Sequence, residues 1–164
     1  MRNVSQLPRI TAKPLTVKAF APFGEVFSRP AVPSRLDPRL LLENGRPGAQ
    51  PMLTLIRATP KQVPLEVTTL ERHPHSSQTF VPIQVARYLV IVAPKRSGGE
   101  PDLAQVRAFI GAGDQGVNYH RDTWHHGLTV LDGEGEFVVF MWNDGSDADT
   151  EFLRLSESFV VLNS

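Results

Sequence analysis

Five histidines occur in the chain, and all of them fall in two short stretches. The first is Glu71-Arg72-His73-Pro74-His75, and the second runs Tyr119-His120-Arg121-Asp122-Thr123-Trp124-His125-His126. Imidazole exchanges a proton near neutral pH and, as a neutral base, ligates metals, so clustered histidines point to acid–base chemistry, metal binding or both. In an extended 71–75 segment, Glu71, His73 and His75 share one face while Arg72 takes the other. Strict alternation through the second stretch sets Tyr119, Arg121, Thr123 and His125 against His120, Asp122, Trp124 and His126. A turn at 121–123 would reset that parity and let His120 meet His125, and both arrangements stay open.

A His-x-His pair followed by a third histidine on a later strand is the donor pattern of jelly-roll barrels of the cupin type, which add a carboxylate a few residues after the pair. Gln78 stands near that slot, one residue early. The candidate ligands are therefore His73, His75, Gln78 and His125, for a divalent ion such as nickel, manganese or zinc. With no carboxylate to offset its charge, the ion would be held weakly. The second reading is that these histidines only transfer protons and hydrogen-bond. Other chemistries lack their residues: there is no Gly-x-Ser-x-Gly turn, no phosphate-cradling glycine loop before a helix, and no cysteine.

The elements that must position these groups read as strands. Beyond residue 51, apolar and β-branched runs at 52–59, 65–70, 79–83, 87–93, 106–110, 129–131, 137–142, 151–155 and 159–162 are separated by turn residues at 97–99, 111–114 and 132–135. Helical signals are few. Thr16 caps a helical turn that Pro22-Phe23-Gly24 stops before an extended 25–27, and Pro101 opens a short turn at 101–105. Residues 28–51 are rich in proline and glycine and predict a long surface loop with one turn of helix at 39–43. The expectation is one domain over 1–164, with a leading helical and loop segment at 1–51 and an all-β jelly-roll barrel at 52–164, closed so that no strand edge is left open.

Seventeen basic residues balance seventeen acidic ones, so no field would gather nucleic acid or an anionic membrane. The absence of cysteine suits a reducing compartment. Residues 1–10 lack the apolar core of a signal peptide, and no run is long enough to span a bilayer. A soluble, cytoplasmic protein is expected, without nucleic-acid or membrane partners.

Several motifs carry a resemblance. They are Arg57-Ala58-x-Pro60; Leu70-Glu71-Arg72-His73-Pro74 with Gln78-x-Phe80-x-Pro82; Pro101-Asp102-Leu103 with Arg107-Ala108-Phe109-Ile110; and Gln115-Gly116-Val117-Asn118-Tyr119-His120-Arg121 with Trp124-His125-His126. Together they resemble the ureidoglycolate lyases, also called ureidoglycolate hydrolases, of allantoin degradation in purine catabolism. The segment 42–46 is shorter than the family's corresponding stretch, and the family does not require His75. The resemblance implies a cupin-like double-stranded barrel, a homodimer, and carbon–nitrogen bond cleavage of ureidoglycolate to glyoxylate and urea. Such a reaction needs a base for the hydroxyl proton and an acid for the departing nitrogen. His73, His120 and His125 are the expected catalytic groups. Arg72, Gln78, Phe80, Tyr119, Arg121 and Trp124 are expected to contact a small ureido acid, with an arginine on its carboxylate. No cofactor is required by this chemistry, although a divalent metal would ease deprotonation. The competing expectation is a non-catalytic small-acid-binding or metal-dependent cupin protein on the same barrel.

Overall fold

A computed structural model describes residues 7–163. In chain order the elements are β1 (Arg9–Thr11), β2 (Lys13–Pro14), α1 (Val17–Phe20), β3 (Gly24–Ser28), β4 (Gln50–Ala58), β5 (Leu65–Arg72), β6 (Gln78–Gln84) and β7 (Arg87–Ala93). A 3-10 turn at Leu103–Gln105 precedes β8 (Arg107–Ala112), β9 (Gln115–Tyr119), β10 (Trp124–His125), β11 (Thr129–Leu131), β12 (Gly135–Asn143) and β13 (Glu151–Leu162). Thr16 caps α1 as expected, its hydroxyl accepting from the Ala19 amide.

Among the described residues these strands form two sheets. The larger runs β1-β13-β5-β10-β7-β8-β2 with β11 added to β7, and the smaller runs β3-β9-β6-β12-β4. β1 and β2 belong to one short segment, yet β1 pairs with β13 and β2 with β8. That segment therefore ties both edges of the larger sheet together, with Ala12 fully buried between them. This is the all-β barrel expected, nearly closed, with its edge hydrogen bonds used internally.

β7 shows why the larger sheet lies at the centre. Its run Tyr-Leu-Val-Ile-Val-Ala is apolar at every position, the signature of a strand covered on both faces. Tyr88, Val90 and Val92 join Phe80, Val117, Tyr119 and Phe137 in a core between the sheets. Leu89, Ile91 and Ala93 point the other way, into a second core built from the larger sheet and its closing segment, with Val67, Trp124 and Phe159.

Several expectations change. Residues 39–43 are not helical, and the long loop is instead fastened to the bend after β5. The Glu43 amide donates to Ser77 Oγ at 2.9 Å and the Gly45 amide to the His75 carbonyl at 2.6 Å. The two strands expected at 151–155 and 159–162 are one strand with a register shift between Arg154 and Phe159. β1, β2, β9 and β10 are additional.

Candidate active site

β5 ends at Arg72, and His73 follows directly, where Pro74 cannot extend a ladder. β10 is only two residues long and lies between β5 and β7, pairing His125 with Glu71 on one side and with Val92 on the other. Residues directly opposite in an antiparallel pair project from the same face, so Glu71 and His125 meet, with Oε1 and Nε2 3.3 Å apart. The His73 and His125 rings lie 5.3 Å apart, and Tyr119 stacks on His125 at 4.4 Å. Both histidines are buried.

Hydrogen bonds fix the tautomers of this pair. His73 Nδ1 is 2.9 Å from the Asp149 carbonyl oxygen and His125 Nδ1 is 2.8 Å from that of Thr123. A carbonyl only accepts, so each Nδ1 carries the proton and donates, leaving the neutral ring's lone pair on Nε2. Both Nε2 atoms and Gln78 Oε1 are buried without a hydrogen-bond partner. A lone pair of His125 thus faces a carboxylate oxygen at 3.3 Å, a repulsive contact unless a proton or a cation sits between them. Buried acceptors left open in this way mark a place for a ligand.

Burial holds His73 below the ordinary histidine range, assisted by the neighbouring charge of His125. Burial alone would raise the Glu71 carboxyl, but the adjoining His125, with smaller contributions from His73 and His126, outweighs this and keeps it below its ordinary value. At neutral pH Glu71 is therefore ionised and His73 neutral. Burial pushes the Tyr119 phenol far up, so it remains neutral.

Ligand atoms of Glu71, His73 and His125 all lie within 4.8 Å of one another. One carboxylate with two imidazole lone pairs is a donor set suited to a divalent transition metal, with positions left for substrate, and the open Nε2 atoms fit such an ion. The carboxylate comes from Glu71, two residues before the first histidine, and not from the slot after the pair. His75 does not join this group: it is exposed in the bend after β5, which breaks the alternation expected over 71–75.

Residues 7–162 match the family described as Ureidoglycolate lyase. The chain belongs to the ureidoglycolate lyase family. Relatives bearing that name include one from Burkholderia mallei (strain NCTC 10229), 39% identical over 79% of this chain and 80% of its own length. Another, from Pseudomonas fluorescens (strain Pf0-1), is 34% identical over 93% and 96%. A third, from Mesorhizobium japonicum, is 37% identical over 94% and 98%. Among solved structures, the formate complex of Lactobacillus farciminis oxalate decarboxylase overlaps with a TM-score of 0.42 at 15% identity, covering 88% of this chain and 33% of that one.

The remaining residues expected from the family motifs divide between two faces. Gln78 pairs across the strands with Tyr119 and so shares its inward face, with Nε2 donating to Met141 Sδ at 3.2 Å. Phe80 packs edge-on against Tyr119 at 6.0 Å. Arg72 turns to the opposite side from Glu71, where it pairs with Glu151 at 2.7 Å and Asp122 at 3.0 Å and covers the Trp124 ring at 4.7 Å. Trp124 itself lies in the second core and donates to the Gly99 carbonyl at 2.8 Å. The structure therefore does not bring Arg72 or Trp124 to the histidines. Arg121 lies against Glu43 at 3.5 Å.

His120 is not brought to His125 either. The turn after it holds Asp122 at φ 65, yet Tyr119 and His125 end on one side and His120 on the other. His120 Nε2 donates to Glu25 Oε1 at 2.8 Å, and Asn118 Nδ2 donates to Glu25 Oε2 at 2.7 Å. Gly24, at φ +156, permits this approach of β3, since a Cβ there would come 1.8 Å from the Asn118 carbonyl oxygen. This pair lines a separate cavity of about 680 Å³ with Val26, Leu36 and Arg39. A smaller cavity, about 240 Å³, reaches Glu71 and is lined by Lys61, Thr69, His126, Gly127 and Phe152. Sequence reasoning passed over Lys61 and Asp149.

Proposed function

We propose that the protein is a ureidoglycolate lyase whose chemistry takes place at Glu71, His73 and His125. The observation that carries this, beyond family membership, is the pair of buried, unpartnered Nε2 lone pairs facing an ionised carboxylate. Ureidoglycolate carries a hydroxyl and a ureido nitrogen on one carbon. The His125 Nε2 lone pair takes the hydroxyl proton, the C=O bond of glyoxylate forms, and the C–N bond breaks as that proton passes to the departing nitrogen of urea. One imidazole serves as base and then as acid, and Glu71 at 3.3 Å stabilises its charged form between the two transfers. Gln78 Oε1, an open acceptor, receives a ureido N–H. Glu71, His73 and His125 would alternatively hold a divalent ion, nickel, manganese or zinc; bound there it would occupy the His125 Nε2 lone pair and would supply polarisation of the hydroxyl oxygen in place of that base.

The substrate's carboxylate needs a cation that is not already engaged. Arg72 and Arg121 are committed to carboxylates of the protein. Lys61 makes no ion pair among the described residues and lines the cavity that reaches Glu71. We assign it to the carboxylate. His126, on the same wall, is held below its ordinary range by burial and by the charge of Lys61, which matches a cationic mouth.

The protein is proposed to be a cytoplasmic homodimer. On the outer face of the smaller sheet, edge strand β4 presents Leu53 and Leu55 at 70% and 78% exposure, with Val81 and Ile83 of β6 beyond the intervening β12, an apolar surface suited to a second copy. Incubating the protein with ureidoglycolate, with and without a chelator, and measuring glyoxylate and urea tests the activity. Absence of both products from metal-supplemented wild type would refute it.

A further inference from the structure

We infer that Asp149 is the positioning residue of this site, holding His73 in the tautomer and orientation that turn its Nε2 lone pair toward Glu71 and His125. The inference rests on the cluster being the active centre. Asp149 lies in the loop between β12 and β13, remote in sequence from His73, and it is 4% exposed. Its neighbours at 144–148 are exposed, so its burial is a local feature of this loop.

Asp149 grips the bend after β5 at three points. Its backbone carbonyl accepts from His73 Nδ1 at 2.9 Å. Its carboxylate accepts from the His75 amide at 2.6 Å and from Ser76 Oγ at 2.5 Å. One residue thereby holds the ring, the backbone amide two positions beyond it and the hydroxyl three positions beyond it. The ring cannot rotate without breaking a bond to a group that is itself pinned. Such outer hydrogen bonds are what set the tautomer of a functional histidine.

The carboxylate also has a charge partner. Arg46 Nη2 lies 3.3 Å from Asp149 Oδ2 and donates to the Trp142 carbonyl at 3.2 Å, while Nη1 lies 2.8 Å from Asp144. Arg46 belongs to the long loop, which is already tied to Ser77 and His75. The loop, the bend and the β12–β13 connection thus converge on one buried carboxylate. With its oxygens occupied by these donors, Asp149 has no role on substrate. It acts through His73.

The test uses Asp149→Ala, Ser76→Ala, His73→Ala and the Asp149→Ala/His73→Ala double variant of the full chain. Long-range ¹H–¹⁵N correlation spectra report which His73 nitrogen carries the proton, independently of any substrate. In wild type the proton sits on Nδ1. In Asp149→Ala the backbone carbonyl remains but loses the carboxylate's anchor on the bend, so the ring shows both tautomers, kcat falls about 10- to 100-fold, and KM stays within about threefold. Zinc affinity measured by competition falls by a similar factor. Ser76→Ala removes a single donor and serves if Asp149→Ala does not fold; it shifts the same readouts in the same direction by a smaller factor. Because Asp149 works through His73, the double variant is no slower than His73→Ala. An unchanged Nδ1–H signal with kcat and zinc affinity within twofold of wild type overturns the inference, as does full additivity in the double variant. If wild type does not turn over ureidoglycolate, the lyase reading fails, while the tautomer and zinc measurements still decide the role of Asp149.

Discussion

Replacing Glu71 with glutamine keeps the shape of the side chain and removes its charge. In the proposed reaction His125 becomes cationic between the two proton transfers, and Glu71 Oε1 is 3.3 Å from its Nε2. At that separation and an effective dielectric of about 20, opposite unit charges attract by about 5 kcal/mol. The Glu71 side chain is 19% exposed, so solvent relaxes part of this. A rate effect of about half, roughly 2.7 kcal/mol, corresponds to about a hundredfold loss of kcat. KM should change little, because the attraction develops only after the substrate is bound. The assay is glyoxylate release at pH 7.5, with circular dichroism to show that the variant is folded. Metal affinity should fall together with kcat, since the carboxylate is the only charged donor in the cluster. A folded Glu71→Gln protein with kcat within threefold of wild type would refute both the ion pair and the placement of the reaction.

Three further outcomes are expected. Lys61→Ala should raise KM for ureidoglycolate about tenfold with kcat retained, Lys61→Arg should restore it, and initial-rate kinetics with both variants would show whether Lys61 holds the carboxylate. Arg72→Ala should lower the melting temperature by several degrees and leave KM of the folded protein unchanged, because its partners are Glu151, Asp122 and Trp124; calorimetry alongside kinetics separates these effects. In chelator-treated protein, stability should be full near pH 7 and fall with acidification. Below about pH 6.5 unfolded histidines take up protons that folded His73 and His126 resist, and further down folded Glu71 finally titrates. A melting temperature flat between pH 7 and 5 would contradict those shifts.

The apolar runs that became β7 and β12 stand out because each has bulky side chains to bury. β1 and β2 do not. They are short and largely exposed outside Ala12, and their place comes from edges that other strands leave open. β9 is disguised by Gly116 and Asn118, residues that usually mark turns. Gly116 is required there because a Cβ would meet the Phe27 ring at 2.3 Å. β13 runs through Ser156-Glu157-Ser158, polar residues that read as a break in a chain seen without its β5 partner. At the site, clustering singled out His73 and His125, and strand parity already placed Glu71 beside His73. A template with the carboxylate after the histidine pair drew attention to Gln78 instead. His120 and His125 fall on opposite sides, the arrangement that strict alternation gives, although the run is interrupted by a left-handed residue at Asp122. Asp149 has no local signal, since its partners lie more than seventy residues away in the chain.

The segment at residues 9–14 also sets the order in which the molecule can be completed. Its first three positions pair with Val160, Val161 and Leu162, and the next strand pairs with Phe109 and Ile110. On the ribosome, β2 gains its partner only once residues 107–112 have emerged, and β1 only once residues 151–162 have, so the seam closes late. Until then β13 and β8 expose unpaired edges, the surfaces on which growing chains stick to one another. Closure across so long a loop is slow. With partners so far apart in the chain, the seam around Ala12 is among the last contacts formed, and a chain that fails to close it presents both open edges to cellular quality control.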